Sequence, residues 1–129
     1  MVVTFFEKPG CATNAKQKQT LLQAGCMLFE KDLLNNGLDK NELREFFEGI
    51  QPSEWFNQNA PKIKKKQIDV ASLDENEILD LFMQEPILIK RPLLIVNGEK
   101  MCGFNQTRIE QALNRKLNST VSERCSAKN

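Results

Sequence analysis

Chemistry in this 129-residue chain has to come from four cysteines (Cys11, Cys26, Cys102, Cys125), from carboxylates, and from Lys and Arg, because it has no histidine and no tyrosine. Ser-His-Asp triads, Cys-His dyads, HExxH zinc sites and imidazole acid/base catalysis are thereby excluded. The cysteines are widely spaced with no CxxC pair, so neither a disulfide framework nor a zinc site is expected, and no metal is assigned. Cys11 stands apart. It follows Pro9-Gly10 and opens a helical stretch, where unpaired N–H groups and the positive dipole end lower a thiol from its usual value near ~8.5. The plainer alternative is a small, semi-buried residue.

Arg91-Pro92 is the second feature. A proline between two strand-like runs removes a ladder donor, and its tertiary amide tolerates the cis form. If, as in thioredoxin-like folds, such a proline lies against the cysteine loop, Arg91 would bring a permanent positive charge to the thiolate or to a bound oxyanion. A solvent-facing arginine beside an edge-strand proline is the alternative.

The elements that must position these residues are legible from pattern. Val2 to Phe6 reads as a buried strand closed by Pro9-Gly10, and residues 12 to 24 as a helix ending at Gly25. Ala15 and Leu22 would share the helix face that begins at Cys11. Met27 to Asp32 completes a βαβ unit with a parallel pair. Asp39 and Glu42 form a capping box with a Leu38–Leu43 staple, ahead of Leu43, Phe46, Phe47 and Ile50 at helical spacing. Ser53 would cap a short turn carrying Trp55 and Phe56, and Ser72 with Glu75 would cap a helix presenting Ile78, Leu81 and Phe82, stopped by Pro86. Ile87 to Ile89 and Leu93 to Val96 are apolar runs, and Asn97-Gly98 signals a type I′ hairpin returning through Cys102. Asn105 can cap a last helix with Ile109, Ala112, Leu113 and Leu117 inward.

The order β-α-β, helical block, β-β-α predicts an α/β fold: a thioredoxin-like βαβ-ββα sheet with helices inserted between strands two and three. One domain spans 1–117, with the insert at about 39–83 and a loose tail at 118–129. Eighteen basic against seventeen acidic side chains give a net charge of +1. No global field marks a nucleic-acid or membrane binder. The N-terminus lacks the pattern of a signal peptide, and no run approaches the ~18 apolar residues of a membrane span. A cytoplasmic monomer with reduced thiols is expected. The Lys62, Lys64, Lys65, Lys66 run is either a solvated face or a patch for anions or acidic partners. Trp55 and Phe56 beside Pro61 are either core or a docking ridge.

The residues Pro9-Gly10-Cys11-Ala12-Thr13-Asn14, Asp32-Leu33-Leu34 and Ile87-Leu88-Ile89-Lys90-Arg91-Pro92-Leu93, in that order, resemble the arsenate reductase (ArsC-type) family of thioredoxin-fold proteins. Residues 54–63, Glu54-Trp55-Phe56-Asn57-Gln58-Asn59-Ala60-Pro61-Lys62-Ile63, together with Asn14 and Gln17-Lys18, resemble its nitrogenase-associated branch. Met101-Cys102-Gly103-Phe104-Asn105 is similar to the Spx-like and YffB-like branches. The resemblance implies a cis Pro92 lying against the cysteine loop and shaping the docking of a substrate thiol. It further implies Cys11 as nucleophile, with Arg91, Asn14 and Thr13 stabilising the thiolate or an anion. Family arsenate reductases carry a C-x-x-S loop and three arginines; here the serine position holds Asn14, and two arginine positions fall on Asn57 and Gly103. Bidentate Arg contacts are charge-assisted bonds that Asn and Gly cannot replace, so the loss weighs against efficient arsenate reduction.

Three functions follow from that comparison. The first is a thiol-redox protein acting by a monothiol route, with no bound cofactor, glutathione or a protein thiol as co-substrate, and Cys125, Cys26 or Cys102 as candidate resolving thiols. The second is a non-enzymatic protein that binds a nitrogenase-related or transcriptional partner on the same scaffold. The third is a weak glutathione-dependent arsenate reductase.

Overall fold

The computed structural model describes residues 1–117. Its sheet has four strands, β1 (Val2–Glu7), β2 (Met27–Asp32), β3 (Leu93–Val96) and β4 (Glu99–Cys102), in the order β2-β1-β3-β4. β1 and β2 run parallel with Val3 opposite Leu28, whereas β1–β3 and β3–β4 are antiparallel with Phe6 opposite Leu93 and Leu93 opposite Cys102. A parallel pair needs a crossover, supplied by α1 (Ala12–Gln23). Asn97 and Gly98 both adopt positive φ, 51° and 83°, as a type I′ turn demands. This is the thioredoxin-like arrangement expected from the element order.

Alternation along the strands divides the interior in two. Val3 and Phe5 of β1 join Leu94, Val96 and Met101 beneath Leu21 of α1 and Ile109 and Leu113 of α5 (Gln106–Leu113). Phe6, Leu93 and Cys102 point the other way, into the helical block. That block contains α2 (Lys40–Glu45), α3 (Pro61–Lys64) and α4 (Glu75–Gln84), linked by short 3₁₀ turns. Phe47 stacks on Trp55 at 4.7 Å, and Phe82 meets Phe56 at 5.0 Å and Phe47 at 5.6 Å. Trp55 and Phe56 are therefore core, and the docking-ridge alternative falls.

Several local expectations shift. α1 buries Asn14, Gln17, Thr20 and Leu21, while Ala15 and Leu22 face solvent. Its inward stripe is mostly polar, and buried amides are tolerable because they bond one another. The Asp39–Glu42 box is present, but α2 ends at Glu45; the N–H groups of Phe46 and Phe47 bond the carbonyls of Leu43 and Arg44, three residues back, tightening the chain out of α geometry. Ser53 lies inside the 3₁₀ turn Pro52–Glu54, whose N-cap is Gln51. Ile87 is not in a strand: Pro86–Leu88 forms another 3₁₀ turn, and Ile89 makes an isolated bridge to Phe56.

The box at α4 is Asp74 with Glu77, not Ser72 with Glu75. Asp74 Oδ1 accepts the Glu77 N–H at 2.8 Å, while the Ser72 hydroxyl donates to the Asp69 carbonyl in the preceding turn. Asp74→Ala should lower stability by about 1 kcal/mol, read as a shift of the urea midpoint, whereas Ser72→Ala should leave it nearly unmoved.

Candidate functional site

The Cys11 loop is built by local chemistry. Pro9 and Gly10 occupy the centre of a turn closed by the Cys11 N–H on the Lys8 carbonyl at 3.1 Å. Proline presets the first central residue, and glycine supplies the positive φ of the second, here +84°. Cys11 follows as the N-cap of α1, in extended conformation, and is only 3 % exposed. Its sulfur accepts the Asn14 N–H at 3.4 Å, the place a capping oxygen usually takes.

The Asn14 side chain does different work from the thiolate stabiliser that the sequence suggested. Its Oδ1 accepts the Lys8 N–H at 3.2 Å, and its Nδ2 donates to Gln17 Oε1 at 2.8 Å. Only its backbone N–H reaches the sulfur. Asn14 and Gln17 are fully buried, so the amide pair pins the loop onto the helix. Gln17 was missed as a site residue, and its signal was the three-residue spacing from Asn14 on one helix face. Thr13 occupies the second helical position, half-buried.

Lys18 reinforces this end from the next turn, with Nζ 2.8 Å from Glu7 and 3.3 Å from Glu30. Burial works to lower its pKa, but the hydrogen bonds and charges of Glu7 and Glu30 outweigh that and raise it. The ion pairs join α1 to the ends of β1 and β2.

Arg91 and Pro92 come to the same end of the sheet. They immediately precede Leu93, the first residue of β3, which lies opposite Phe6 near the end of β1. The Arg91-Pro92 bond is cis, Arg91 is 4 % exposed, and the Pro92 carbonyl accepts the Gly103 N–H at 2.8 Å. The edge-strand alternative for Arg91 is set aside by that burial.

The other cysteines have different surroundings. Burial pushes the Cys102 thiol up to about 12, against the opposing charges of Lys90 and Arg108. Burial also raises Cys26, opposed by the N-terminal amine and Arg115. Both stay protonated at neutral pH, which disfavours them as resolving thiols. Cys125 lies outside the described residues. Asn57, at one arginine position of the reductase pattern, spends its amide on the Ile87 carbonyl and the Asn59 N–H, and Gly103, at another, carries no side chain. Lys62 pairs with Glu85 at 2.7 Å, and Lys64, Lys65 and Lys66 are exposed. Among the described residues no cluster of three metal-ligating side chains occurs, and no helix is long and apolar enough to cross a membrane.

Comparison with known proteins agrees with this geometry. An uncharacterized 15.7 kDa protein from the draG 3′ region of Rhodospirillum rubrum is 36% identical over 107 residues, covering 83% of this chain and 75% of that protein. The global transcriptional regulator Spx of Streptococcus mutans is 25% identical over 116 residues, covering 88% and 85%. Among solved structures, an ArsC family related protein of Bacteroides fragilis superposes with TM-score 0.74 at 22% identity, covering 87% of this chain and 99% of the other. An arsenate reductase of Vibrio cholerae gives TM-score 0.69 at 19% identity, covering 88% and 97%. The ArsC family model matches residues 6–112, from the end of β1 into α5. Since that span holds both the Cys11 loop and the Arg91-Pro92 turn, the chain belongs to the ArsC family.

Proposed function

We propose that the protein is a thiol-redox protein in which Cys11 is the nucleophile. The supporting observation is the sulfur at the N-cap of α1, accepting the Asn14 N–H. A thiolate there is favoured by the helix end, by that N–H, and by the cation of Arg91 on the adjoining strand end. With no imidazole in the chain, these groups replace a general base. In the step proposed, the Cys11 thiolate attacks one sulfur of a disulfide. A new S–S bond forms to Cys11, the old S–S bond breaks, and the second half leaves as a thiolate with the bonding electron pair. A further thiol, glutathione or a protein's, then releases Cys11. Asn14 stands where a second cysteine would close a local disulfide, so the route is monothiol. The family and fold support the reading at the level of scaffold.

A second reading is favoured by the Spx relatives and by the 3 % exposure of Cys11: a regulator that binds a protein partner without turnover. The nitrogenase-associated motifs suggest a setting for such a partner. Arsenate reduction draws little support, because Asn57 and Gly103 supply no guanidinium. Localisation in the cytoplasm and action as a monomer complete the proposal.

The rate of iodoacetamide alkylation against pH separates these. The redox reading expects a midpoint below ~8.5 that disappears in Cys11→Ser, together with a glutathione adduct by mass spectrometry. Cys102 will not intrude, being buried with a pKa of about 12. A midpoint at or above 8.5 with no adduct would favour the partner-binding protein.

A further inference from the structure

β2 is an outer strand of the sheet, with β1 as its neighbour on the inner side. Its outer side carries a row of backbone groups that no described strand meets. In a parallel ladder alternate residues turn both N–H and C=O toward the partner. The Met27 N–H bonds the Met1 carbonyl at 2.8 Å, so Met27, Phe29 and Lys31 spend theirs on β1, and Leu28 and Glu30 direct theirs outward. Proteins usually blunt such an edge with a proline, a bulge or spread charge. β2 pairs with β1 in unbroken register, holds no proline, and opens with Met27-Leu28-Phe29. We propose that this edge docks an extended segment of a partner protein, antiparallel to β2, with apolar side chains over Met27 and Phe29, an acid at Lys31 and a base at Glu30. The inference goes beyond the chemistry of Cys11 and stands whichever role that thiol plays.

The two faces of β2 differ. Residues in register across a parallel pair point to the same side, so Met27, Phe29 and Lys31 share the face of Val2, Thr4 and Phe6. The helical block covers that face at Phe6 and leaves it open at the other end: Val2 is 45 % exposed, Phe29 53 % and Met27 62 %. Apolar side chains grouped beside outward backbone groups are what an added strand buries. Leu28, Glu30 and Asp32 project from the opposite face, on the side of α1, where Lys18 reaches Glu30 at 3.3 Å.

Charge decides the occupant. Lys31 has no ion pair among the described residues, and its face of β2 bears no carboxylate. The other face of the strand bears Glu30 and Asp32 and no cation. A second copy paired through a two-fold axis sets like face beside like face. It would bring Lys31 only to apolar side chains or another lysine, and Glu30 and Asp32 only to apolar side chains or further carboxylates. A foreign segment with an acid on one face and a base on the other satisfies both. Since Asp32 lies opposite Glu7, such a segment begins at the end of the sheet from which the Cys11 loop departs.

The test titrates the full chain with the acetylated, amidated peptide Thr-Glu-Lys-Val-Thr-Ile-Thr, whose Glu, Lys, Val and Ile fall opposite Lys31, Glu30, Phe29 and Met27. Hydrogen exchange followed by NMR should find the Leu28 and Glu30 amides fast in the free protein and slowed about tenfold by saturating peptide, with Phe29 and Lys31 slow throughout. Methylating the peptide nitrogens of Lys and of the Thr between Val and Ile, which donate to the edge, should abolish binding. Methylating those of Val and Ile, which face away, should preserve it. Phe29 and Lys31 are exposed, so their variants keep the fold. Phe29→Thr should weaken binding about fivefold, and Lys31→Glu about threefold, the latter restored by a peptide with Lys in place of Glu. No binding, equal binding of the two methylated peptides, or affinity unchanged by both substitutions would overturn the docking edge. So would Leu28 and Glu30 amides already slow in the free protein. Slowing that grows with protein concentration would assign the edge to a second copy, and slowing that does not would assign it to another stretch of this chain.

Discussion

Phe82→Ala lowers the folding free energy by about 3–5 kcal/mol, the usual cost of emptying a fully buried phenylalanine site. Phe82 is 1 % exposed and is the meeting point of the helical block. Its ring contacts Phe56, which bridges to Ile89 next to the Arg91-Pro92 turn, and Phe47, which stacks on Trp55. Trp55 is held in turn by its indole N–H on the Ile50 carbonyl at 2.9 Å. Few neighbours can collapse into the space, because each is fixed from its far side. Against a total of ~5–15 kcal/mol for a domain of this kind, the loss leaves the protein marginal. Urea denaturation followed by Trp55 fluorescence measures it. A loss below about 1 kcal/mol would mean that the aromatic cluster relaxes and does not act as one packed unit.

Asn14→Asp should raise the Cys11 pKa by about one to three units, slowing alkylation roughly ten- to thousandfold at a pH well below the wild-type midpoint. The side chains are nearly the same shape, so the loop geometry is the same to first order. What changes is charge. The new carboxylate is three bonds from a nitrogen that lies 3.4 Å from the Cys11 sulfur, in a fully buried place. A like charge there opposes the thiolate that the helix end favours. The donor to Gln17 Oε1 is lost as well, so stability falls. Asn14→Ala provides the control: it removes the bonds to both Gln17 and Lys8 without adding charge, and should destabilise while leaving the alkylation midpoint within about half a unit. Equal midpoints in wild type and Asn14→Asp would show that the sulfur does not sense that carboxylate.

How much of this was legible beforehand depended on how local the determining interactions are. The Asp39–Glu42 box, the Asn97-Gly98 hairpin and the Asn105 cap each depend on two to four consecutive residues, and each is present. The turn before Cys11 is equally local. The α4 start was misplaced by two residues because Ser72 and Glu75 satisfy the same capping rule as Asp74 and Glu77; the preceding Asp69–Ser72 turn, which occupies the serine, decided between them. Ile87 to Ile89 reads as a strand by apolarity, yet Leu88 and Ile89 are buried in the helical block by a turn that begins at Pro86. The polar inner face of α1 escaped a search for hydrophobic periodicity altogether. Asn14 and Gln17 are interior residues whose side-chain amides bond each other, and Asn14 also accepts the Lys8 N–H.

The strand β1 belongs to both cores, with Val3 and Phe5 committed to one and Phe6 to the other. A one-residue slip would therefore be penalised twice, exposing or mispacking apolar side chains on the two faces at once. Inserting or deleting a residue within 2–7 would also shift the Cys11 loop, which follows β1 directly. The segment that delivers the sulfur is thus poorly able to change its length, whereas surface turns such as those of the helical block can absorb an insertion.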